Sequence, residues 1–363
     1  LTLTFSSGFY NMGKKVLVAM SGGVDSSVAA VLLRNQGYTV VGATMCLGVS
    51  DTDGTASCCG PDATRDARKV CEKLDMPHYV LQFSEYLYTQ VITDFVEQYR
   101  MGRTPNPCVR CNQFLKFGYL YNYARTCDFD YIATGHYCGI KKIGDKSFLR
   151  KHKDPVKDQT YFLYGISPEC VEHTLFPLQD IDKLEVREIA RQVGLIVAEK
   201  AESMEICFIP DNDYRGFLKK HNVISTPGDF IDYTTGKKLG MHTGTPNYTI
   251  GQRKGLGVAG GRPLYVVSID VKSNIVLLGE KKDLVKRELT ASNCNFFMEP
   301  PFPDNLTAKV RYSQNLIPCT ATKTGDVLKV QFQQDVEAVT PGQSVVLYQD
   351  DIVVGGGVID FTT

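Results

Sequence analysis

The chain has 363 residues, 43% of them hydrophobic, and its 40 Lys plus Arg are balanced by 40 Asp plus Glu, giving a formal net charge of zero. That length supplies two or three domains with ample core, and the balanced charge excludes a wholly basic nucleic-acid binder, so any RNA contact has to come from local patches. No run of about 18 apolar residues occurs, which excludes a membrane-spanning helix. Twelve cysteines with no secretory segment point to a reducing compartment, the cytoplasm, where thiols serve packing, metal or chemistry.

Residues 1–11 lack the charged start and apolar core of a signal peptide, and Met12-Gly13-Lys14-Lys15 reads as the true beginning of the folded chain. Val16 to Met20 is an apolar run long enough for a buried strand. Ser21-Gly22-Gly23 breaks it, and Val28, Val31 and Leu32 then recur at helical spacing behind Asp25 and Ser26. Strand, glycine turn and helix start follow without a gap. Such a turn aims unpaired backbone N–H groups at one spot before a positive helix end, a ready site for phosphate. Ser21 and Ser26 add hydroxyls, and Asp25 is a candidate to hold Mg2+ against the same phosphates. The expected ligand is a nucleotide.

Thr39 to Met45 reads as a second buried strand, Ala63, Ala67, Val70 and Leu74 as a helix, and His78 to Leu81 as a third strand. Leu87, Val91 and Phe95 mark another helix, and Tyr131 to Thr134 a fourth strand ahead of Gly135-His136. Alternation of this kind predicts an α/β fold with a doubly wound parallel sheet whose ligands bind beyond the carboxyl ends of the strands.

Within this alternation Gly102 to Phe117 reads GRTPNPCVRCNQFLKF. Pro105 and Pro107 oppose a helix before Cys108, so the Cys108-x-x-Cys111 pair sits on a stiff loop feeding a helix. The pair alone leaves metal ligation, redox chemistry and coincidence open, although a thiol near a helix amino end is a better nucleophile. Cys58-Cys59 lies in a loop from Gly54 to Pro61, and Cys46, Cys71, Cys127, Cys138, Cys170, Cys294 and Cys319 read as small core hydrophobes. Lys141 to Lys157 carries seven basic residues against Asp145 and Asp154 and leads into Asp158-Gln159-Thr160-Tyr161-Phe162. A solvated hairpin and a phosphate-contacting surface fit it equally.

A helix follows at Lys183 to Val193, and then Ala201 to Phe208, where Cys207 between Ile206 and Phe208 reads as core. Past about residue 220 the texture turns to glycine-rich turns and short strands. These fall at Phe230 to Tyr233, Leu264 to Ile269, Ile275 to Leu278, Asn293 to Phe297, Ala308 to Tyr312, Cys319 to Lys323, Val327 to Gln331, Ser344 to Tyr348 and Ile352 to Asp360. Their spacing predicts a small antiparallel barrel. Gly255 to Gly260 matches a dinucleotide fingerprint by letters, but it runs into a strand rather than a helix, so no NAD is assigned.

The loop SGGVDSS resembles that of the N-type ATP pyrophosphatases, and no Walker A motif occurs. Taken with TPNPCVRCN, ATGHY, KDQTYFLYGI, ESMEICFI, YTIGQRKGLG, VRYSQ and AVTPGQSVVLY in that order, the chain from Met12 onward resembles the bacterial tRNA 2-thiouridylase family. The resemblance implies a catalytic PP-loop domain (adenine nucleotide alpha hydrolase-like) over 12–218, a β-rich tRNA-contacting domain over 219–287 and a β-barrel over 288–363. It implies ATP-dependent adenylation of O2 of the wobble uridine and sulfur transfer from a cysteine persulfide to C2. The substrates would be lysine, glutamate and glutamine tRNAs held by the anticodon arm, with a sulfur carrier or cysteine desulfurase as donor.

By that resemblance Cys111 is the nucleophile and Cys207 the persulfide carrier, closing to a disulfide on sulfur transfer, which reverses the core reading of Cys207. Ala19, Met20, Ser21, Gly22, Gly23, Val24, Asp25, Ser26, Met45 and Gly135 match the ATP site, and Asn106, Pro107 and Cys108 the target-base segment. His136, Lys157, Asp158, Gln159, Arg311, Tyr312 and Gln343 match tRNA contacts. Much of the family carries aspartate at Cys108. Its absence opens an alternative in which Cys108, Cys111 and Cys207 ligate a 4Fe-4S cluster. A further alternative is a PP-loop ligase acting on a small metabolite.

Overall fold

A computed structural model describes residues 13–48, 61–201, 206–209, 211–258 and 261–360. It forms two compact units, one of residues up to 90 with 108–212 and 351–353, the other of 91–107, 213–350 and 354 onward.

The first unit opens with β1 (Lys15–Ala19), α1 (Val24–Asn35), β2 (Thr39–Cys46), α2 (Pro61–Lys73) and β3 (His78–Gln82). The chain then passes through α3 (Ser84–Leu87), α4 (Thr93–Arg100) and α5 (Pro107–Arg110), a ten-residue π-helical stretch Cys111–Leu120, and α6 (Tyr121–Thr126), of which α4 lies in the second unit. It returns as β4 (Tyr131–Ala133), the hairpin β5 (Gly139–Ile143) and β6 (Lys146–Arg150), α7 (Pro168–Glu172), β7 (Thr174–Leu175) and α8 (Lys183–Val193). The sheet is parallel throughout, in the order β3-β2-β1-β4-β7. Strand order therefore reverses between β1 and β4, and the crevice beyond their carboxyl ends is where such sheets receive ligands.

Local sequence explains the elements. β1 is a β-branched and leucine run with Val16, Leu17 and Val18 at most 1% exposed. α1 is apolar nearly all round, so Val28, Ala29, Ala30 and Leu33 are buried, as expected of a helix packed inside rather than on the surface. α8 is capped at both ends: the Asp182 carboxylate accepts from the Glu185 amide, and Gly194 closes it in the left-handed conformation at φ 68°. The basic run forms the β5–β6 hairpin, whose Arg150 pairs with Ile352. β7, only two residues long, has no sequence signal.

The second unit holds α9 (Tyr214–Lys220) and two sheets. β8 (Gly228–Asp232), β9 (Lys238–His242), β10 (Tyr265–Asp270) and β11 (Ile275–Gly279) pair in the order β10-β11-β8-β9 around Phe230, Val266, Val276 and Leu278. β12 (Val285–Phe296), β13 (Leu306–Lys309), β14 (Ile317–Thr324), β15 (Val327–Glu337), β16 (Ser344–Gln349) and β17 (Ile352–Ile359) run β12-β15-β14-β13-β16-β17. Pairing of β12 with β17 closes this sheet as an antiparallel barrel. β12 is longer than the expected strand at Asn293 to Phe297. Its register shifts twice and Asn293 has φ 49°, which breaks the alternation that pattern reading relies on. Gly255 lies in a turn and Gly257 in irregular backbone ahead of strand β10, and neither opens a helix.

Phe230 is fully buried with Tyr248 and Val266 around it. Replacing it with Ala is expected to cost about 3–5 kcal/mol, read as a lowered urea midpoint with unchanged slope.

Candidate active site

The loop after β1 is fixed by close backbone approaches. Met20 N–H donates to Ala43 O at 2.8 Å, extending the β1–β2 ladder by one residue. Gly22 has φ 70°, and a Cβ there would lie 2.2 Å from Ala63 O of α2, so only glycine fits. The N-cap of α1 is Gly23, with no side-chain cap. The serines turn inward instead: Ser21 and Ser26 hydroxyls lie 3.1 Å apart, and Ser26 and Ser27 hydroxyls both donate to Gly23 O. The amide end of α1 is thus left open, with the positive pole of the helix behind it. From the other side of the switch point Gly135 presses in so tightly that its Cβ would sit 2.5 Å from Ser26 N. Met45 lies at the end of β2, two residues past the Ala43 that receives Met20.

Sequence reading missed the groups that hold Asp25. Lys183 Nζ donates to both Asp25 oxygens, at 2.7 and 2.8 Å, and the Tyr137 hydroxyl donates to Oδ1 at 2.7 Å. A second lysine, Lys200, donates to Gly22 O at 2.9 Å and to Asp66 of α2 at 2.7 Å, pinning the loop from below. The residues do not fit a protein-held magnesium ion as they stand. Asp25 is the loop's one carboxylate, and a cation already occupies both its oxygens.

Cys108 lies exposed in the first turn of α5 behind Pro107, the position where proline suits a helix start, and Cys111 opens the π-helical stretch at 9% exposure. Wide turns of this kind concentrate at functional sites. Cys207 is half-buried in a turn in which Ile209 N–H donates to Ile206 O. Neither Cys111 nor Cys207 is in a disulfide, and among the described residues no three His, Cys, Asp or Glu side chains gather as a metal-binding group. Burial pushes the Cys71 thiol up to about 11 and those of Cys170 and Cys319 to about 12, marking them as packing residues. Cys127 is exposed, not core. Cys58-Cys59 falls outside the described residues.

The residues expected at tRNA divide. His136 Nδ1 meets Thr134 Oγ1 at 2.7 Å and its Nε2 faces Lys116 Nζ at 3.5 Å, with Phe117 and Phe176 beside the ring. Desolvation, helped by the Lys116 charge, holds this imidazole well below its ordinary value. Asp158 is 2% exposed and accepts from His152 N, Thr160 N and Thr160 Oγ1, so its oxygens are spent inside the fold. Gln159 Oε1 accepts from Tyr137 N, and Lys157 and Gln159 are both half-buried. In the second unit Arg311 donates to Ile250 O at 3.0 Å and to Thr340 Oγ1, with Tyr312 half-buried beside it.

Gln343 Nε2 donates to Thr104 O at 2.9 Å and Pro105 O at 3.3 Å, and Thr104 N–H donates to Pro341 O. Arg103 reaches Ile359 O at 2.7 Å, and Gly342 leaves no room for a Cβ against Thr104. The backbone at Thr104 and Pro105, ahead of Asn106, is therefore clasped by the loop between β15 and β16.

The first unit is an α/β nucleotide-binding fold with its anion cradle at the strand-order switch. Family models match in register: the tRNA methyl transferase HUP domain over residues 14–211, the tRNA methyl transferase PRC-barrel domain over 215–280 and the Aminomethyltransferase beta-barrel domain over 286–359. The tRNA-specific 2-thiouridylase MnmA 1 of Syntrophus aciditrophicus is 52% identical, covering 96% of this chain and 93% of that one. Those of Clostridioides difficile and Clostridium beijerinckii are 46% and 48% identical, each covering 96% of this chain and 99% of its own. The chain belongs to the tRNA-specific 2-thiouridylase family.

Two outcomes follow from this geometry. Gly135→Ala is expected to push residues 134–136 off the start of α1 and weaken ATP binding at least ~10-fold, with circular dichroism unchanged. The second concerns pH. The folded His136 stays neutral where an unfolded imidazole protonates, so its contribution is complete above about 6.5 and is lost as pH falls from there toward the lower folded pKa. Melting temperatures from pH 7.5 to 5.5 are expected to fall less steeply for His136→Gln than for the wild type.

Proposed function

We propose that this chain is a tRNA 2-thiouridylase, an ATP-dependent sulfurtransferase making 2-thiouridine at the wobble position of lysine, glutamate and glutamine tRNAs. What supports the reading most is the uncapped amino end of α1 beneath Ser21-Gly22-Gly23, in a chain whose relatives at 46–52% identity bear that name.

In this proposal the cradle from Ala19 to Ser26, with Met45 and Gly135, holds the ATP phosphates on backbone amides, leaving the α-phosphorus facing the crevice. The wobble base leaves its stack to enter, received by Asn106, Pro107 and Cys108. Its O2 attacks the α-phosphorus, pyrophosphate departs, and O2 becomes part of a good leaving group. The terminal sulfur of a Cys207 persulfide attacks C2 and AMP leaves with the original oxygen. The Cys111 thiolate then attacks the inner sulfur of Cys207, so that the S–S bond to the delivered sulfur breaks, 2-thiouridine is released and a Cys111–Cys207 disulfide remains for an external thiol to reduce. Magnesium enters as the counterion of the nucleotide. A sulfur carrier or cysteine desulfurase recharges Cys207.

Lys157, His136 and Tyr312 are the proposed tRNA-facing groups. Asp158 and Gln159 act by shaping the turn, Arg311 by bracing the loop at Ile250, and Gln343 by holding the segment before Asn106. A three-domain division at 12–218, 219–287 and 288–363 and a cytoplasmic location belong to the same proposal. Neither the iron–sulfur nor the small-metabolite alternative is adopted, since no observation favours either over this reading.

Cys207→Ser and Cys111→Ser are expected to retain tRNA-dependent pyrophosphate release from ATP while losing more than about 99% of 2-thiouridine formation, measured by nucleoside mass spectrometry. Normal thiolation by Cys207→Ser would remove the persulfide role.

A further inference from the structure

Lys183 stands at the first position of α8, where the helix dipole disfavours a cation. The capping of α8 is complete without it, through Asp182 and Glu185, so helix formation does not explain a lysine there. Its side chain, 13% exposed, crosses instead to the second residue of α1 and closes a two-point ion pair on Asp25. Tyr137 completes the arrangement by donating to Asp25 Oδ1 and by laying its ring 5.7 Å from Lys183 Nζ.

A bare carboxylate one residue inside an anion cradle would repel the phosphates that the cradle is built to take. With Lys183 in place the carboxylate is neutralised, and the lysine's ammonium is held on the second residue of α1. Asp25 itself remains 31% exposed, so the pair faces the crevice rather than the core.

Resting on the reading of this cradle as an ATP site, we infer that Lys183 is the protein's own charge toward the triphosphate. Asp25 is a positioning residue that, with Tyr137, aims Lys183; it is not a magnesium ligand. Pyrophosphate departure increases the negative charge on the leaving oxygens, and a fixed ammonium beside them stabilises that change.

The test measures ATP affinity in EDTA and, separately, the Mg2+ concentration giving half-maximal pyrophosphate release, in the full-length wild type, Lys183→Gln, Lys183→Arg and Asp25→Asn. Lys183→Gln is expected to weaken metal-free ATP binding fivefold or more, with Lys183→Arg recovering most of it. Asp25→Asn, which keeps an acceptor for Tyr137, is expected to lower the rate of pyrophosphate release while shifting the Mg2+ midpoint less than fivefold. A metal-free affinity in Lys183→Gln within fivefold of wild type overturns the inference, as does a Mg2+ midpoint raised fivefold or more by Asp25→Asn. If Lys183→Gln does not fold, the Asp25→Asn titration decides alone. Failure of the wild type to bind ATP at all overturns the underlying reading as well.

Discussion

The structure turns on a helix start that no side chain caps. β1 delivers the chain to a point where the amides at the start of α1 have no side-chain cap, and the surrounding backbone is packed so closely that Gly22 and Gly135 admit no Cβ. An uncapped helix buried by its neighbours is normally a cost. Here the neighbours arrive from α2, from β4 and from the segment after α8, and each closes one side while leaving the amides facing the crevice. The parallel order β3-β2-β1-β4-β7 supplies the geometry, because only at the reversal between β1 and β4 do two loops diverge enough to admit a nucleotide.

Much of this was legible in the sequence. Val16 to Met20, Thr39 to Met45 and Tyr131 to Thr134 are apolar runs bounded by turn residues, and their strands fall within a residue or two of the expected limits. Lys183 to Val193 carries its own caps and appears as read. What stayed illegible is nonlocal. Nothing in the motif SGGVDSS announces that Asp25 will be held by a lysine 158 residues further on. The only local hint is a cation at the wrong end of a helix. Cys127 sits among residues that suggest core yet lies exposed at the C-cap of α6.

Among the residues expected at tRNA, composition could not separate contact from support. Asp158 and Gln159 are polar for the sake of a turn, and Gln343 and Arg311 for the sake of loops within their own unit. The clasp of Pro341, Gly342 and Gln343 on Thr104 gives the barrel a structural task within its own unit: it holds the backbone at Thr104 and Pro105. Proline at 105 and 107 stiffens the same path.

The proposed chemistry requires that the uridine oxygen be activated on phosphorus at this cradle before sulfur arrives. The most direct measurement starts from tRNA whose wobble uridine carries 18O at O2 and follows the label through one turnover by mass spectrometry. Recovery of the label in the phosphate of AMP, in step with 2-thiouridine formation, is the predicted result. Label appearing in water, or 2-thiouridine forming with unlabelled AMP, would contradict it.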